Sequence, residues 1–450
     1  MAGQQAPDDM GEDAMATSMG AGVTTAKGAR PGYTSALVLL ASLFFMWGFI
    51  TVINNTLLPH LRSVFELTYF QTGLIESVWF IGYLLASVPA AKLIERIGYQ
   101  RALTTGLAIM TVGSLGMILA AYLVSYGVTV ASLFIVSCGI ALLQVAANPY
   151  VAVIGPPESA ETRLTLVQAF NTTGDVLAIV FGKYLILART TAGTVAHGVK
   201  LTPAQRMADA QATELPYLIV AAMLAVLAVL IARAKLPALG SATARASAEA
   251  RRGLSLFHHR NLILGCLGIA LCVLAEISVS SYFINFVSQP SVADLTQEHA
   301  ASYLTLFWIG MVAGRFAGAA IMRRIAPERV LAFFALIAIG GSLLAVFVPG
   351  PAAMWGLITV GLGISIMFPA IFALAIRGLG PLTEEGSGLL IMSIAGGALA
   401  SVVGKIGDEY GLHWGFLVTA ACALYVLFYA VWGAKPVVRD AQAAVPRGHS

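Results

Sequence analysis

The sequence predicts an all-α membrane protein whose twelve transmembrane helices form two pseudo-symmetric six-helix bundles. The first observation is composition: 58% of the 450 residues are hydrophobic and 11% are charged, whereas soluble domains carry about 25% charged residues. The second is a set of about twelve apolar stretches, each near the roughly 20 residues that a bilayer-spanning helix requires. The third is a motif in the first half that recurs in the second.

The predicted spans follow a polar tail at residues 1–32 and divide around the longest loop, at 235–260. Residues 33–234 are predicted to form the first bundle and residues 261–434 the second, with a short tail at 435–450. In chain order, the predicted spans are 33–58, 69–91, 101–123, 128–154, 163–187, 214–234, 261–287, 299–322, 327–348, 351–376, 386–407 and 411–433.

Basic residues indicate how the chain is oriented in the membrane. The loop at 235–260 and the turns near 92–101 and 323–329 are rich in Lys and Arg. With twelve spans, these loops and both termini lie on one side. Because such loops stay in the cytoplasm, we expect both termini to be cytoplasmic. The net charge of +4 reflects this orientation and does not indicate nucleic-acid binding.

An internal repeat supports the division into two bundles. The stretch Trp79–Gly82 recurs as Phe307–Gly310, and Arg96 recurs as Arg324 at the same offset. Parallel halves related about the membrane normal are the architecture of a large class of secondary transporters.

Polar residues interrupt several of the apolar spans. Gln168, Asn171 and Asp175 have i, i+3 and i+7 spacing and share one helix face, while Gln144 and Asn148 are at i and i+4 in another span. Polar groups in hydrocarbon cost several kcal/mol unless they face protein or water. We therefore predict a wet polar cavity, with the alternative that the amides only bond neighbouring helices.

Further polar positions extend this predicted cavity. Asn54 and Asn55 interrupt the first span, and Glu276 lies deep in the first span of the second half. Amides both donate and accept hydrogen bonds, as a sugar hydroxyl does. Mid-membrane carboxylates mark ion or proton paths, which makes Asp175 and Glu276 candidates for cation coupling. A structural ion pair between Glu276 and Arg315 is the alternative.

Aromatic residues supply candidate platforms for a sugar ring. Trp308 and Tyr282 are predicted to line the site, and Trp308 recurs as Phe80 in the repeat. The alternative for each aromatic is a place in the core or facing lipid. Glu95, Arg96 and Arg101, at the cytoplasmic end of the first bundle, are predicted to form an inner gate.

The sequence disfavours several other functions. The four cysteines, Cys138, Cys266, Cys272 and Cys422, lie in apolar stretches and lack metal-ligand spacing. No catalytic constellation and no glycine-rich phosphate loop is present in the sequence, so neither an enzyme nor ATP-driven transport is expected. A lipid-moving protein is also disfavoured, because the polar faces come from both halves toward one centre.

Two sets of residues resemble a known family. The segment Ala91–Arg101 resembles the loop signature of the major facilitator superfamily, with Ala91 in place of a glycine and Glu95 in place of an aspartate. More specific stretches resemble its fucose–galactose–glucose symporter branch: Phe44–Phe49, Asn54–Pro59, Phe70–Ile75, Ala146–Tyr150, Gln168–Asn171 and Gly314–Phe316. The likeness covers nearly the whole chain after the tail. It implies a sugar symporter of the bacterial inner membrane, driven by protons or, in some relatives, by sodium.

The chain departs from the proton-coupled fucose symporters at three positions. Asn55 replaces an aspartate and Gln144 replaces a glutamate, and those carboxylates serve proton coupling and sugar contact in that symporter. Because an amide does not titrate near neutral pH, that proton carrier cannot be transferred to Asn55. Asp175 replaces a small apolar residue, which makes it a candidate for the titrating group.

The resulting prediction is a secondary active transporter that imports a glucose-, galactose- or fucose-like monosaccharide together with a proton or sodium. Uptake of an N-acetylglucosamine-like amino sugar and uncoupled facilitated diffusion are the alternatives. We expect no cofactor other than a co-transported ion. The expected partners are the sugar and the lipid bilayer, and the protein is expected to be monomeric.

Overall fold

The computed structural model describes residues 33–65, 69–181, 213–234 and 255–435, together with Thr202, Met207, Gln211 and Leu236. The predicted tails, most of the predicted linker at 235–260 and the end of the fifth predicted span lie outside the described residues.

Helices account for nearly all of the described chain, and no strand occurs in these segments. The first bundle contains α1 (Tyr33–Phe65), α2 (Tyr69–Ile97), α3 (Tyr99–Leu123), α4 (Tyr126–Val153), α5 (Ala160–Phe181) and α6 (Glu214–Arg233). The second contains α7 (Arg260–Val287), α8 (Gln297–Ile321), α9 (Pro327–Phe347), α10 (Pro351–Ile364 and Met367–Ala375), α11 (Thr383–Met392, Ser393–Ala400 and Ser401–Tyr410) and α12 (Leu412–Phe428, continued by Tyr429–Gly433).

Eleven of these helices are long and apolar enough to cross a bilayer. The 22-residue α5, which carries the polar positions Gln168, Asn171 and Asp175, completes the set of twelve. The predicted all-α fold with twelve spans is thereby confirmed. α2 continues to Ile97, beyond the predicted end at 91, because hydropathy marks the membrane boundary while backbone hydrogen bonds continue into the polar turn.

Local sequence signals fix several helix ends. The Ser125 hydroxyl accepts a hydrogen bond from the Val128 amide at the start of α4, and Thr296 does the same for His299 at α8. Such caps satisfy amides that have no partner within the helix. Gly98 (φ +80°) provides the tight turn between α2 and α3, a backbone conformation that other residues avoid.

A proline breaks α10 in the middle of the membrane. Pro369 has no amide hydrogen, so the carbonyl of Ser365, four residues earlier, loses its helical partner. The helix is interrupted there, between Ile364 and Met367. The Ser365 carbonyl instead accepts a hydrogen bond from Arg315 Nε of α8 at 2.9 Å. The proline therefore frees an acceptor that a side chain from another helix uses.

The two bundles meet along two seams. In one, α5 of the first bundle packs against α8 and the second segment of α10; in the other, α2 and α4 pack against α11. Within the first bundle α1 packs along α5 and α3 along α4, and in the second α9 packs along α10. The α5–α8 seam brings the polar face of α5 against the second bundle.

Candidate substrate and cation site

The predicted amides of the first bundle form a buried cluster. Gln144 is 2% exposed and Asn148 is fully buried. Gln144 Nε2 donates to the Tyr83 hydroxyl at 2.6 Å, and Gln168 Nε2 donates to Asn148 Oδ1 at 3.5 Å. The structure thus brings together three of the amides that the sequence singled out, and it adds Tyr83, which the sequence analysis missed.

Two polar atoms of this amide cluster lack a partner in the described part of the chain. Gln144 Oε1, an acceptor, and Asn148 Nδ2, a donor, are both buried without a hydrogen bond. Leaving such a group unpaired costs about 1–3 kcal/mol. The two residues are one turn apart on α4, and a hydroxyl group needs one donor and one acceptor. The pair is therefore suited to bind a hydroxylated ligand.

Asn171 and Asp175 lie where α5 packs on α1. Asn171 Nδ2 donates to the Phe44 carbonyl at 2.9 Å. A Cβ atom at position 48 would lie 2.7 Å from both Asn171 Nδ2 and Asp175 Oδ1, closer than such contacts occur. Gly48 is therefore required for α1 to approach this polar pair, which gives a physical reason for the glycine in the Phe44–Phe49 stretch.

Arg315 of α8 joins the two bundles within the candidate span His299–Ile321. Its guanidinium donates to the Ser365 carbonyl within its own bundle. It also donates to the Gln168 carbonyl at 2.8 Å and to the Thr172 hydroxyl, both on α5 of the other bundle. The side chain is 6% exposed, so these bonds form out of contact with bulk water.

The positive charge of Arg315 attracts the carboxylates of Asp175 and Glu276, and the charge of Glu276 repels that of Asp175. These three residues, the charged cluster, come from α5, α7 and α8. The hydrogen bonds of Arg315 go to carbonyl and hydroxyl oxygens, so its charge acts on both carboxylates while its donors hold the backbone. Among the described residues Glu276 and Arg315 form no direct ion pair, and the Arg315 charge acts on Asp175 as well as on Glu276. The coupling and binding roles of the two carboxylates stay predictions.

The remaining predicted site residues have different surroundings. Trp308 is half-buried and packs edge-on against Phe307, with ring centroids 5.4 Å apart. Tyr282 lies against Gly404 of α11 and lines a cavity near the end of α7. Asn54 and Asn55 belong to α1, but their side chains lie outside the described residues. The predicted ligand contacts of all four stay predictions.

At the end of the protein that the basic loops predict to be cytoplasmic, the two bundles are joined by residues that the sequence analysis missed. Arg377, at the end of α10, donates to Glu161 of the other bundle at 2.8 Å and to Glu328 of its own bundle at 2.5 Å. We call these three residues the inner latch. The Tyr99 hydroxyl also donates to Glu384 across the bundles at 3.1 Å.

The predicted gate residues lie near the same end of the protein. Arg96 and Arg101 are exposed, whereas Glu95 is half-buried, and their gating role stays a prediction. Acidic residues in the first turn of α5 and α9 were the available signal for the inner latch. The sequence could not show that both converge on Arg377.

A polar cluster buried between two six-helix bundles is the architecture of a large class of secondary transporters. The chain belongs to the Major Facilitator Superfamily, which it matches over residues 38–404. This confirms the family that the sequence motifs indicated.

Individual relatives cover nearly the whole chain. The chain is 42% identical over 412 residues to a protein named glucose/galactose transporter of Brucella abortus biovar 1 (strain 9-941), covering 91% of this chain and 97% of the relative. It is 33% identical over 434 residues to the L-fucose-proton symporter of Escherichia coli K12, covering 94% and 98%. The crystal structure of the transporter FucP in the outward conformation matches with a TM-score of 0.79 at 32% identity, covering 90% of this chain and 100% of FucP. The protein is therefore a transporter and not an enzyme.

We expect Gln144→Ala and Asn171→Ala each to weaken sugar binding by about 1–3 kcal/mol, because each leaves buried partners unpaired. Every 1.4 kcal/mol corresponds to about a tenfold rise in Kd. Isothermal titration calorimetry on purified protein measures this change. Ser342→Ala, a buried polar position in α9, is the matched control and should bind like the wild type. Wild-type affinity in both test variants would show that these amides do not line the site.

We expect Glu161→Gln to shift the protein toward a state that is open at its inner end. The change removes the negative charge that Arg377 pairs with across the bundles, so a hydrogen bond to a charged group, worth about 1.5–3 kcal/mol, becomes a weaker bond to an amide oxygen. Glu328→Gln is the control, because it weakens a bond to the same Arg377 within one bundle. Spin labels at the exposed positions Lys92 and Arg324 should report a longer distance in Glu161→Gln alone. Equal distance distributions in the two variants would contradict a latch between bundles.

Proposed function

We propose that this transporter imports a neutral monosaccharide of the glucose, galactose or fucose type together with one cation. The observation that carries the proposal is the unpaired acceptor and donor of Gln144 and Asn148, which one sugar hydroxyl satisfies. The names of the relatives, a glucose/galactose transporter and an L-fucose-proton symporter, support the same substrate class.

The charged cluster supplies a reason for coupling to a single cation. Two carboxylates and one guanidinium carry a net charge of −1 when all three are ionised. An uncompensated charge inside the membrane is costly. One proton or one sodium ion at Asp175 or Glu276 makes the cluster neutral. The cation and the sugar therefore favour the same neutral, occupied state.

Transport proceeds by alternating access around this site. The bonds from Arg315 to α5 and the inner latch both connect the bundles, so both must rearrange when the inner end opens. A cation bound at the charged cluster reduces the negative charge that the Arg315 guanidinium faces. Because Arg315 also bonds to α5, this links cation binding to the contact between the bundles. We propose that the protein works as a monomer in a bacterial inner membrane, with both termini in the cytoplasm.

Two alternatives differ in cargo or coupling. Uptake of an amino sugar uses the same amides and differs in the group at one ring position. A facilitator without coupling is favoured by Asn55 and Gln144, which are amides where the proton-coupled fucose symporters have carboxylates. Its transport would follow the sugar gradient alone.

Uptake into proteoliposomes tests the proposal directly. Radiolabelled D-glucose, D-galactose, L-fucose and N-acetylglucosamine are offered with a pH gradient or a sodium gradient imposed separately. We expect accumulation of at least one neutral hexose above its outside concentration under one of the gradients. Preference for N-acetylglucosamine would identify the amino-sugar alternative, and equilibration without accumulation would identify a facilitator. Failure of all four sugars to enter or exchange would reject sugar transport.

A further inference from the structure

A cavity of about 470 Å³ opens at the end of the second bundle where α7 ends and α12 begins. This is the end opposite the inner latch. Its lining residues, which define the outer cavity, come from α7 and the turn after it, from α11 and from the start of α12: Tyr282, Asn285, Gln289, Ser401, Gly404, Lys405, Gly407, Asp408 and Leu412.

Two polar helix faces oppose each other across the outer cavity. On α7, Tyr282 and Asn285 are at i and i+3, and Gln289 follows in the adjoining turn. On α11, Lys405 and Asp408 have the same i and i+3 spacing, which places them on one face. The Tyr282 hydroxyl lies where a Cβ at Gly404 would overlap it. Glycine there allows the tyrosine ring to lie directly on the α11 backbone.

The chemistry of this lining matches a neutral polyhydroxylated ring. A tyrosine offers an apolar face beside a hydroxyl, and two amides donate and accept. Lys405 adds donors and Asp408 adds acceptors, and their charges cancel. In the described part of the chain, none of these amide and charged side chains has a hydrogen bond or ion pair with another residue. The volume is within the range of small-molecule sites.

The outer cavity is separate from the charged cluster. Tyr282 is six residues beyond Glu276 on α7, which is about 9 Å along the axis. At about 100° per residue, the two side chains point about 120° apart around the helix. A ligand in the outer cavity therefore does not occupy the buried site.

We propose that the outer cavity is a second binding site, which captures a neutral monosaccharide before it reaches the buried amides. The proposal rests on the proposed function for its substrate class. It assigns to Tyr282 a contact in the outer cavity. The site adds a weak binding step on the side from which substrate enters.

Protection of a single cysteine tests the outer cavity. Ser401→Cys lines the cavity, and Tyr410→Cys, at an exposed position at the end of the same helix segment, is the matched control. Labelling by a membrane-impermeant maleimide is followed on the peptide that contains the new cysteine, with each of the four sugars or with glycine betaine at equal osmolarity. A sugar at twice its dissociation constant should slow labelling of Ser401→Cys about threefold. Labelling of Tyr410→Cys should not change.

Two sets of added substitutions in Ser401→Cys distinguish sugar bound in the outer cavity from a closure of the outer end caused by sugar in the buried site. Protection should persist with Asn171→Ala, which weakens the buried site, and should disappear with the Asn285→Ala/Asp408→Asn pair. The reverse pattern would overturn the proposal, because it would mean that sugar in the buried site merely closes the cavity. No protection at sugar concentrations that saturate transport would also overturn it, while leaving the proposed function intact. The proteoliposome uptake assay tests the proposed function separately, and absence of any sugar transport by the wild type would reject that function. Protection of Ser401→Cys from labelling would still decide whether the cavity binds sugar.

Discussion

Arg315→Met is expected to abolish sugar transport. The substitution leaves the Ser365 carbonyl without its donor and breaks the bonds from α8 to the Gln168 carbonyl and the Thr172 hydroxyl on α5. It also leaves Asp175 and Glu276 without the positive charge of Arg315. Removing one partner of a buried charge network costs about 3–5 kcal/mol. Arg315→Lys keeps the charge but cannot donate in three directions from one plane, so we expect at least about a tenfold loss of transport rate for it. Uptake into proteoliposomes at matched protein density measures both.

A milder substitution in the same contact serves as the control for misfolding of the Arg315 variants. Thr172→Val removes only the hydroxyl that accepts from Arg315 and keeps the side-chain shape. It should elute as a monodisperse species on size exclusion and should transport at a reduced rate. If Arg315→Lys or Arg315→Met transports at the wild-type rate, the bond between α8 and α5 has no part in the transport cycle.

Asp175→Asn is expected to eliminate accumulation of sugar against its gradient while preserving sugar binding and counterflow exchange. The amide makes the charged cluster neutral without a cation, so the occupied state no longer requires one. Exchange of labelled for unlabelled sugar needs no net cation movement and should continue. Accumulation under an imposed pH or sodium gradient, compared with counterflow in the same vesicles, separates the two outcomes.

Glu276→Gln is the comparison for Asp175→Asn, since it also removes one negative charge from the charged cluster. We expect it to reduce binding and exchange as well, if this carboxylate contacts the sugar. Normal accumulation by Asp175→Asn under a pH gradient would place the proton path elsewhere. Accumulation by the wild type that follows sodium and ignores pH would indicate a sodium site that includes Asp175 or Glu276.

The buried amides illustrate how far sequence spacing reaches. The i, i+3 and i+7 positions of Gln168, Asn171 and Asp175 predicted one polar face on α5. In the structure the Gln168 and Asn171 side chains bond to α4 and α1, and Arg315 of α8 donates to the Gln168 backbone carbonyl. The spacing could not show the individual partners. Tyr83 pairs with Gln144 from 61 positions away, and no local pattern marks such a tyrosine.

At the inner end, the sequence did not indicate which residues bond across the two bundles. Charged residues in the turn near 92–101 suggested a gate, which stays a prediction. At this end of the protein the structure shows bonds between the bundles from Arg377 to Glu161 and from Tyr99 to Glu384. Each of these residues is an ordinary polar residue at a helix end when read along the chain. Their importance arises only because two bundles place those helix ends in contact.

The sequence by itself determined the class of protein, the number of spans and the two-bundle repeat. The class and the number of spans depend on the hydropathy of about 20 neighbouring residues, the length that a bilayer-spanning helix requires. The repeat is visible because one motif recurs at a constant offset in the second half. Tertiary structure alone decided that Arg315 bonds to Gln168, 147 positions away, and that Arg377 bonds to Glu161, 216 positions away. A polar group in a membrane must find a partner, but the identity of that partner depends on how separate helices pack.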